Sequence, residues 1–247
     1  WQSDTLTEDL DLSYRAQLKG WRFKFLENLD SPAELPAAMG AVKSQQFRWT
    51  KGAAETARKN LGKVLTAKLP FGTKVHATFH LLNSMLFICI VLNAVLSVPL
   101  VFYNETNPVV TGLMQYASIF SMSLLALILF FWVSRRNRLG GRGVKGFLRF
   151  VVTFPVFWCV TMGLSLHNAI ATMEGYIGRK TPFIRTPKFA LTDGKDDWKT
   201  RTKYISRRIS PITVLEGLML LYIGFGIGME FWYKSFGMLP FHILLIF

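Results

Sequence analysis

Two short groups near the N-terminus hold residue types suited to chemistry. The first is Thr7-Glu8-Asp9, followed by Leu10-Asp11-Leu12-Ser13-Tyr14-Arg15. Carboxylates that open an amphipathic stretch meet the positive end of a helix dipole, so a helix is expected to start here. The Asp9-x-Asp11 spacing is also open to a metal motif, but both positions begin the helical pattern, and Asp11 is read as an ordinary first-turn acid. The second group is Gln45-Gln46-Phe47-Arg48-Trp49-Thr50-Lys51-Gly52. It follows Pro36, a residue suited to a helix's first turn, and runs through helix-favouring residues to about Leu65. In a helix, Gln45, Arg48 and Trp49 are spaced i, i+3, i+4 and share one face. Gly52, a turn further on, leaves that face open to close approach. Arg48 offers a planar fork of donors that matches phosphate oxygens. Trp49 offers an apolar plate against which the C–H face of a sugar ring can stack. The competing reading of this face is an interfacial helix whose Arg and Trp anchor at lipid headgroups.

The elements that would hold these groups are membrane elements. Of the 247 residues, 51% are hydrophobic, and they are gathered in long blocks. No charge occurs from His76 to Asn104, from Thr106 to Ser134, or from Phe150 to Met173. Each block has the roughly 20 residues that a bilayer-spanning helix needs. A fourth apolar segment runs from Ile209 to Tyr233, interrupted by Glu216 and Glu230, and a fifth begins near Phe236 and is still apolar at Phe247. Residues 1–30 are polar and charged, unlike a signal peptide, and the chain is expected to be part of a longer one. Cys89 and Cys159 both lie inside apolar blocks and read as small packing residues rather than a disulfide. His76, His80, His167 and His242 are scattered without zinc-ligand spacing, so no metal site is expected inside this chain.

The formal net charge of +14 is distributed as a topology signal, not as a nucleic-acid footprint. Cytoplasmic loops of membrane proteins collect Lys and Arg. Residues 1–76 hold 12 of the 29 basic residues, the link Asn104–Pro108 none, residues 135–149 six, and residues 174–208 ten. With residues 1–76 inside, the first two blocks form a hairpin whose tip at Asn104–Pro108 faces out. A single crossing by Phe150–Met173 would carry the next ten basic residues outward, and the block is too short to cross twice. It is therefore expected to lie at the interface, or to re-enter and return. Pro155 and the polar group Ser165, His167 and Asn168 fit a broken, partly wet helix. Inside the fourth segment, Glu216 either lines a polar channel or pairs near the cytoplasmic end. Gly224-x-Gly226-x-Gly228 reads as a close helix–helix contact.

The two motifs, in this order and beside these membrane segments, resemble the processive family 2 glycosyltransferases: cellulose, hyaluronan and mannan synthases. In that family a Thr-Glu-Asp motif closes the catalytic domain, and a Q-x-x-R-W motif follows on an interfacial helix. Here they are Thr7-Glu8-Asp9 and Gln45-x-x-Arg48-Trp49, with Ser13-Tyr14-Arg15 and Gly20-Trp21-Arg22 between. Phe183-Ile184-Arg185-Thr186-Pro187-Lys188 is similar to the family's gating loop, read as F-x-V-T-x-K. Phe183, Thr186 and Lys188 match, and Arg185 stands in the Val position, as suits a mannan-synthase-like branch.

The resemblance implies a mainly α, polytopic membrane protein carrying the C-terminal remnant of a GT-A α/β glycosyltransferase domain. Residues 1–35 would be that remnant, 36–76 the amphipathic interfacial helix, and 77–134 a transmembrane hairpin. Residues 135–211 would be cytoplasmic and interfacial, with the non-crossing helix 150–173 and the loop 183–188, and residues 212–247 transmembrane again. The implied reaction is inverting transfer of a hexose from a nucleoside-diphosphate sugar to a growing β-glycan, on the cytoplasmic side, coupled to polymer export. Asp9 would be the general base, Glu8 its orienting neighbour, and Thr7 the third member of the motif. Gln45, Arg48 and Trp49 would bind acceptor and diphosphate, and Phe183, Arg185, Thr186 and Lys188 would close over them. A divalent Mg or Mn is implied for the full-length enzyme, its ligands upstream of Trp1. Two alternatives stay open: a non-processive enzyme acting on a lipid or short acceptor, and a membrane transporter or scaffold without chemistry.

Overall fold

The computed structural model describes residues 1–26, 29, 31–36, 38–110, 112, 122–138, 143–183 and 210–246. Among them every regular element is helical. The chain divides into two compact units, Trp1–Val91 with Ser165–Thr213, and Leu92–Leu164 with Val214–Phe247.

The first unit is organised by one long helix. The expected acidic start is seen as α1 (Glu8–Leu18), with Glu8, Asp9 and Asp11 in its first turn. The Q-x-x-R-W sequence lies inside α2 (Met39–Thr66), 28 residues long. Pro36 lies three residues before α2 rather than in its first turn. The helix ends ahead of Pro70, because a residue before proline is driven out of the helical region and proline has no N–H to continue the ladder. A second helix, α3 (Phe71–Leu81), starts directly after that proline. The expected interfacial helix of residues 36–76 is thus one helix and the start of another. A 3₁₀ turn (Leu82–Ser84) joins α3 to α4 (Met85–Thr106), which passes from the first unit into the second.

The middle of α2 is buried along Thr50, Lys51, Gly52, Ala54, Thr56, Ala57, Asn60 and Val64, wider than a one-sided amphipathic stripe. The reason is that more than one helix packs on it. α1, α3 and α7 (Ser165–Ile177) all contact α2. A core forms from Tyr14, Ala57, Val64 and Leu81, flanked by Leu10, Leu18, Leu61, Ala77 and Tyr176. α7 comes closest where residues are smallest: a Cβ on Gly175 would stand 2.6 Å from the Lys51 carbonyl oxygen and 2.7 Å from Ala54 Cβ.

Between α1 and α2 the described residues form neither helix nor strand. Trp21, Phe23 and Phe25 are exposed and alternate with Arg22 and Lys24, the period of a β-strand. A strand needs a neighbour to take its ladder hydrogen bonds, and none is present among the described residues. The α/β character expected of residues 1–35 is therefore not seen here.

The second unit holds most of the apolar helices. α5 (Met122–Arg138) and α6 (Val144–Gly163) pack through aromatic rings, among them Trp132 on Phe147 and Phe150, and Phe131 on Phe154 and Phe157. α9 (Leu239–Ile246) packs on α6. Ala94 and Val98 of α4 form a core with Ile223 of α8 (Pro211–Tyr233). Within Gly224-x-Gly226-x-Gly228 only Gly226 makes a tight contact, with Val98, while the other two face open space. Glu216 is half-buried in the second turn of α8. The wholly buried Glu230 and His242 stand 3.3 Å apart, and His242 Nε2 is 2.7 Å from the Ser97 hydroxyl.

Among the described residues three stretches are long and apolar enough to cross a membrane: Phe71–Tyr103, Val144–Gly163 and Pro211–Tyr233; a shorter apolar run covers Leu125–Arg135. The uncharged block 150–173 is not one helix. Its first part belongs to α6, its second to α7, with the break at Leu164. Pro155 stays inside α6, so the break falls at the polar end of the block, where Ser165 and Asn168 are buried in the first unit.

Candidate functional site

Thr7-Glu8-Asp9 and the Q-x-x-R-W helix meet within the first unit. The chain entering α1 lies across α2 one turn beyond Trp49, at Gly52. A Cβ there would stand 2.7 Å from the Thr7 backbone nitrogen and 2.6 Å from Thr7 Cγ2, so only glycine admits the contact. The Leu6 backbone N–H donates to Glu55 Oε2 at 2.8 Å, and the Thr7 and Thr56 hydroxyls are 3.3 Å apart. Burial raises the Glu55 carboxyl above its usual range, against the opposing hydrogen bond from Leu6 and the nearby Lys51 and Arg58 charges.

Asp11 holds the other end of this contact. Read from sequence as an ordinary first-turn acid, it is wholly buried. Its carboxylate accepts from Asn60 Nδ2 at 2.8 Å, Lys59 Nζ at 2.9 Å and Arg15 Nε at 2.8 Å. Burial alone would raise its pKa, but the three donors outweigh burial and hold it below the usual carboxylate range. Lys59 also donates to Asp4 at 2.7 Å, and that bond lowers the Asp4 pKa. α1 is thereby clamped to α2 at both ends of the docking surface, by Gly52 and by Lys59–Asn60.

Asp9 itself is exposed, with one side-chain oxygen accepting from the Leu10 N–H at 2.8 Å, and Glu8 is half-buried. Along the other direction of α2, Gln45 and Arg48 are half-buried and Trp49 is exposed. The Arg48 guanidinium lies over the Phe183 ring, 4.7 Å from its centroid. Thus Phe183, the first residue of the loop-like sequence, stands at the Q-x-x-R-W turn. Arg185, Thr186 and Lys188 lie outside the described residues.

Two residues of this neighbourhood were not anticipated. Lys51 is wholly buried and pairs with Glu174 of α7 at 2.9 Å. His167 Nε2 lies 3.0 Å from the Lys43 carbonyl oxygen, and its ring meets Phe47 edge-on at 5.4 Å. The signal for Lys51 was its place three residues after Arg48. Glu174 lies 123 positions away and carried none.

The divalent cation implied by the resemblance does not fit these residues alone. No three His, Cys, Asp or Glu side chains converge among the described residues. Asp11, the partner in the Asp9-x-Asp11 spacing, already has its oxygens engaged by three donors.

This pairing of an acidic helix start with an Arg–Trp helix beside apolar helices is the arrangement that the resemblance implies for a membrane glycosyltransferase. The family described as "Glycosyl transferase family group 2" matches residues 1–169, and the chain belongs to that family. It is 31% identical over 240 residues to glucomannan 4-beta-mannosyltransferase 9 of Arabidopsis thaliana, covering 91% of this chain and 40% of the relative. Glucomannan 4-beta-mannosyltransferase 2 of the same plant is 29% identical over 237 residues, covering 91% and 39%. Glucomannan 4-beta-mannosyltransferase 1 of Oryza sativa subsp. japonica is 34% identical over 109 residues, covering 40% and 21%. The chain thus spans about 40% of the length of the first of these relatives. No solved structure matches it.

Proposed function

We propose that this chain is the membrane-proximal part of an inverting β-glycan synthase that transfers a hexose, a mannosyl unit in the first instance, from a nucleoside-diphosphate sugar. The observation that carries this reading is the docking of Thr7 on Gly52, which brings the Thr7-Glu8-Asp9 helix start within one turn of Arg48 and Trp49. The names of the relatives supply the sugar class. The acceptor hydroxyl oxygen attacks the anomeric carbon of the donor, a new C–O bond forms, and the bond to the diphosphate oxygen breaks with inversion. Asp9 takes the hydroxyl proton as general base, and its exposed carboxylate suits a group that must meet substrate. Glu8 orients Asp9 as its neighbour, and Thr7, seated on Gly52, holds the start of α1 against α2. Arg48 stabilises negative charge gathering on the leaving diphosphate, an effect that is strongest where water is excluded. Gln45 and Trp49 hold the terminal sugar of the acceptor. Phe183, Arg185, Thr186 and Lys188 close over the site from the cytoplasmic side and keep water from replacing the acceptor. The apolar helices pass the product outward.

In the full-length enzyme Asp9→Asn keeps the shape of the side chain but removes its basicity. It should lower kcat by about 100-fold or more while donor affinity stays within about twofold, because general-base catalysis is typically worth 10²–10⁴-fold. Steady-state rates with radiolabelled donor, together with a direct donor-binding isotherm, check this. Turnover near wild type would remove Asp9 from the role.

A further inference from the structure

Lys51 is the largest wholly buried side chain among the described residues. An ammonium group removed from water is costly unless it is paired and hydrogen-bonded. Its Nζ donates to Glu174 Oε2 at 2.9 Å and to the Thr181 hydroxyl. The other Glu174 oxygen accepts from Arg179 Nη1 at 2.9 Å. One carboxylate of α7 is therefore gripped by a cation of α2 and by a cation of the segment that follows α7. Thr181 is two residues before Phe183, and Arg48 is one turn before Lys51 on α2. The segment 179–183 is thus tied to a single turn of α2 at two points: by Lys51 at Thr181, and by Arg48 at the Phe183 ring.

We propose that Lys51 is a positioning residue for sugar transfer: its bonds to Glu174 and Thr181 set Phe183 against the Arg48 guanidinium and so fix the plane in which Arg48 presents its donors to the departing diphosphate. The proposal rests on the role given to Arg48 above. A cation–π contact uses the face of a guanidinium, whereas its N–H groups lie in the plane and point from the edge. A ring on the face therefore selects the direction of the edge without competing for the donors that phosphate oxygens would use. Orientation fixed in advance also spares the rotamer entropy that a long side chain would otherwise lose at every turnover. Lys51 does this without touching substrate, being enclosed on all sides.

The test uses the full-length enzyme with Lys51→Met, Glu174→Gln, Phe183→Ala, Arg48→Ala and the two pairs that join Phe183→Ala to a change at 51 or 174. Initial rates give kcat and the acceptor KM, and added GDP and UDP serve as diphosphate product probes. Lys51→Met, Glu174→Gln and Phe183→Ala should each lower kcat about tenfold, the loss expected when a transition-state contact is misaligned. Each should raise the inhibition constant of the inhibiting nucleoside diphosphate while leaving the acceptor KM unchanged. Each pair should be no worse than its worse single variant, because the changes act through one side chain. Phe183 is exposed, so its substitution leaves the fold intact and the pair with Glu174→Gln keeps the test open if Lys51→Met does not fold. Losses that multiply in the pairs, or wild-type kcat and inhibition in Phe183→Ala, overturn the proposal. Arg48→Ala separates two failures. If it lowers kcat and product inhibition while the tether variants do not, the tether alone is wrong. If it too behaves as wild type, the role of Arg48 is wrong and the tether falls with it.

Discussion

Asp9 and Asp11 are two residues apart on one helix and have opposite surroundings. Asp9 is exposed at the start of α1, free to meet a hydroxyl, while Asp11 is enclosed by three donors. Residue type and spacing made Asp11 an ordinary first-turn acid and missed its enclosure, because burial depends on partners at positions 59 and 60 that no local pattern announces. Arg48 and Trp49 were legible from their helical spacing, and their side chains do lie on the α2 turn beside the Thr7 contact. Lys51 carried no role in the sequence, since its partner Glu174 comes from a distant part of the chain. Trp49 supplies the residue-scale prediction. If its indole holds the acceptor sugar, Trp49→Ala should slow transfer to glycan by about tenfold or more, the 1–3 kcal/mol scale of a lost aromatic contact. Hydrolysis of the donor by water should change by less than about twofold, since water needs no stacking plate. Labelled free sugar and labelled polymer, separated from the same incubation, report both rates. Equal losses in the two would rule out the stacking role.

At the scale of elements, the start of α1 and the C-terminal limit of α2 were readable because the acidic run and the helix-favouring run that ends near Leu65 act locally. The N-terminal limit was not. Pro36 is a permissive helix opener, but α2 begins at Met39 without a side-chain cap. The packing of α7 on α2 also lay beyond sequence reading. It depends on Gly175 fitting against Ala54, and glycine in an apolar stretch has many possible meanings. The docking of α1 on α2 makes a pH prediction. The native pKa of Asp11 is depressed, so its stabilising contribution is complete above the unfolded carboxylate pKa of about 4 and is lost as pH falls through the lower native value. Thermal denaturation of the full-length enzyme in detergent should therefore show stability falling on the acid side of about pH 4. Asp11→Asn should lower stability at neutral pH by about 3 kcal/mol, the cost of stripping one partner from a buried charge cluster, and should flatten the acid-side fall. An unchanged acid limb in Asp11→Asn would assign that fall to other groups.

For the molecule as a whole, the apolar blocks were visible in the sequence because uncharged runs of that length have few other uses. Where a run breaks was less visible. The block 150–173 divides at Leu164, and its first part joins charged residues upstream to make α6, a helix long enough to cross by itself. The topology proposed from charge places residues 179–208 in the cytoplasm and keeps α6 from traversing. A cysteine introduced at Thr192, in a background lacking Cys89 and Cys159, should resist a membrane-impermeant thiol reagent in intact cells and react once the membrane is opened. Labelling in sealed cells would place this segment outside and remove Phe183–Lys188 from the site. The packing of α7 on α2 bears on the same question through parity alone. A chain that leaves α2 and later returns to pack on it must cross any intervening bilayer an even number of times. Among the described residues three apolar helices lie between, α4, α5 and α6, so at most two of them cross. If α6 crosses, with either α4 or α5 as its partner, Arg135, Arg136, Arg138, Arg142 and Lys145 are exported together, against the bias that holds such clusters inside. The topology proposed from charge takes α4 and α5 as the crossing pair: that makes the count even, keeps those five cations on the side of α2, and asks α6, for all its length, to lie along the membrane rather than through it.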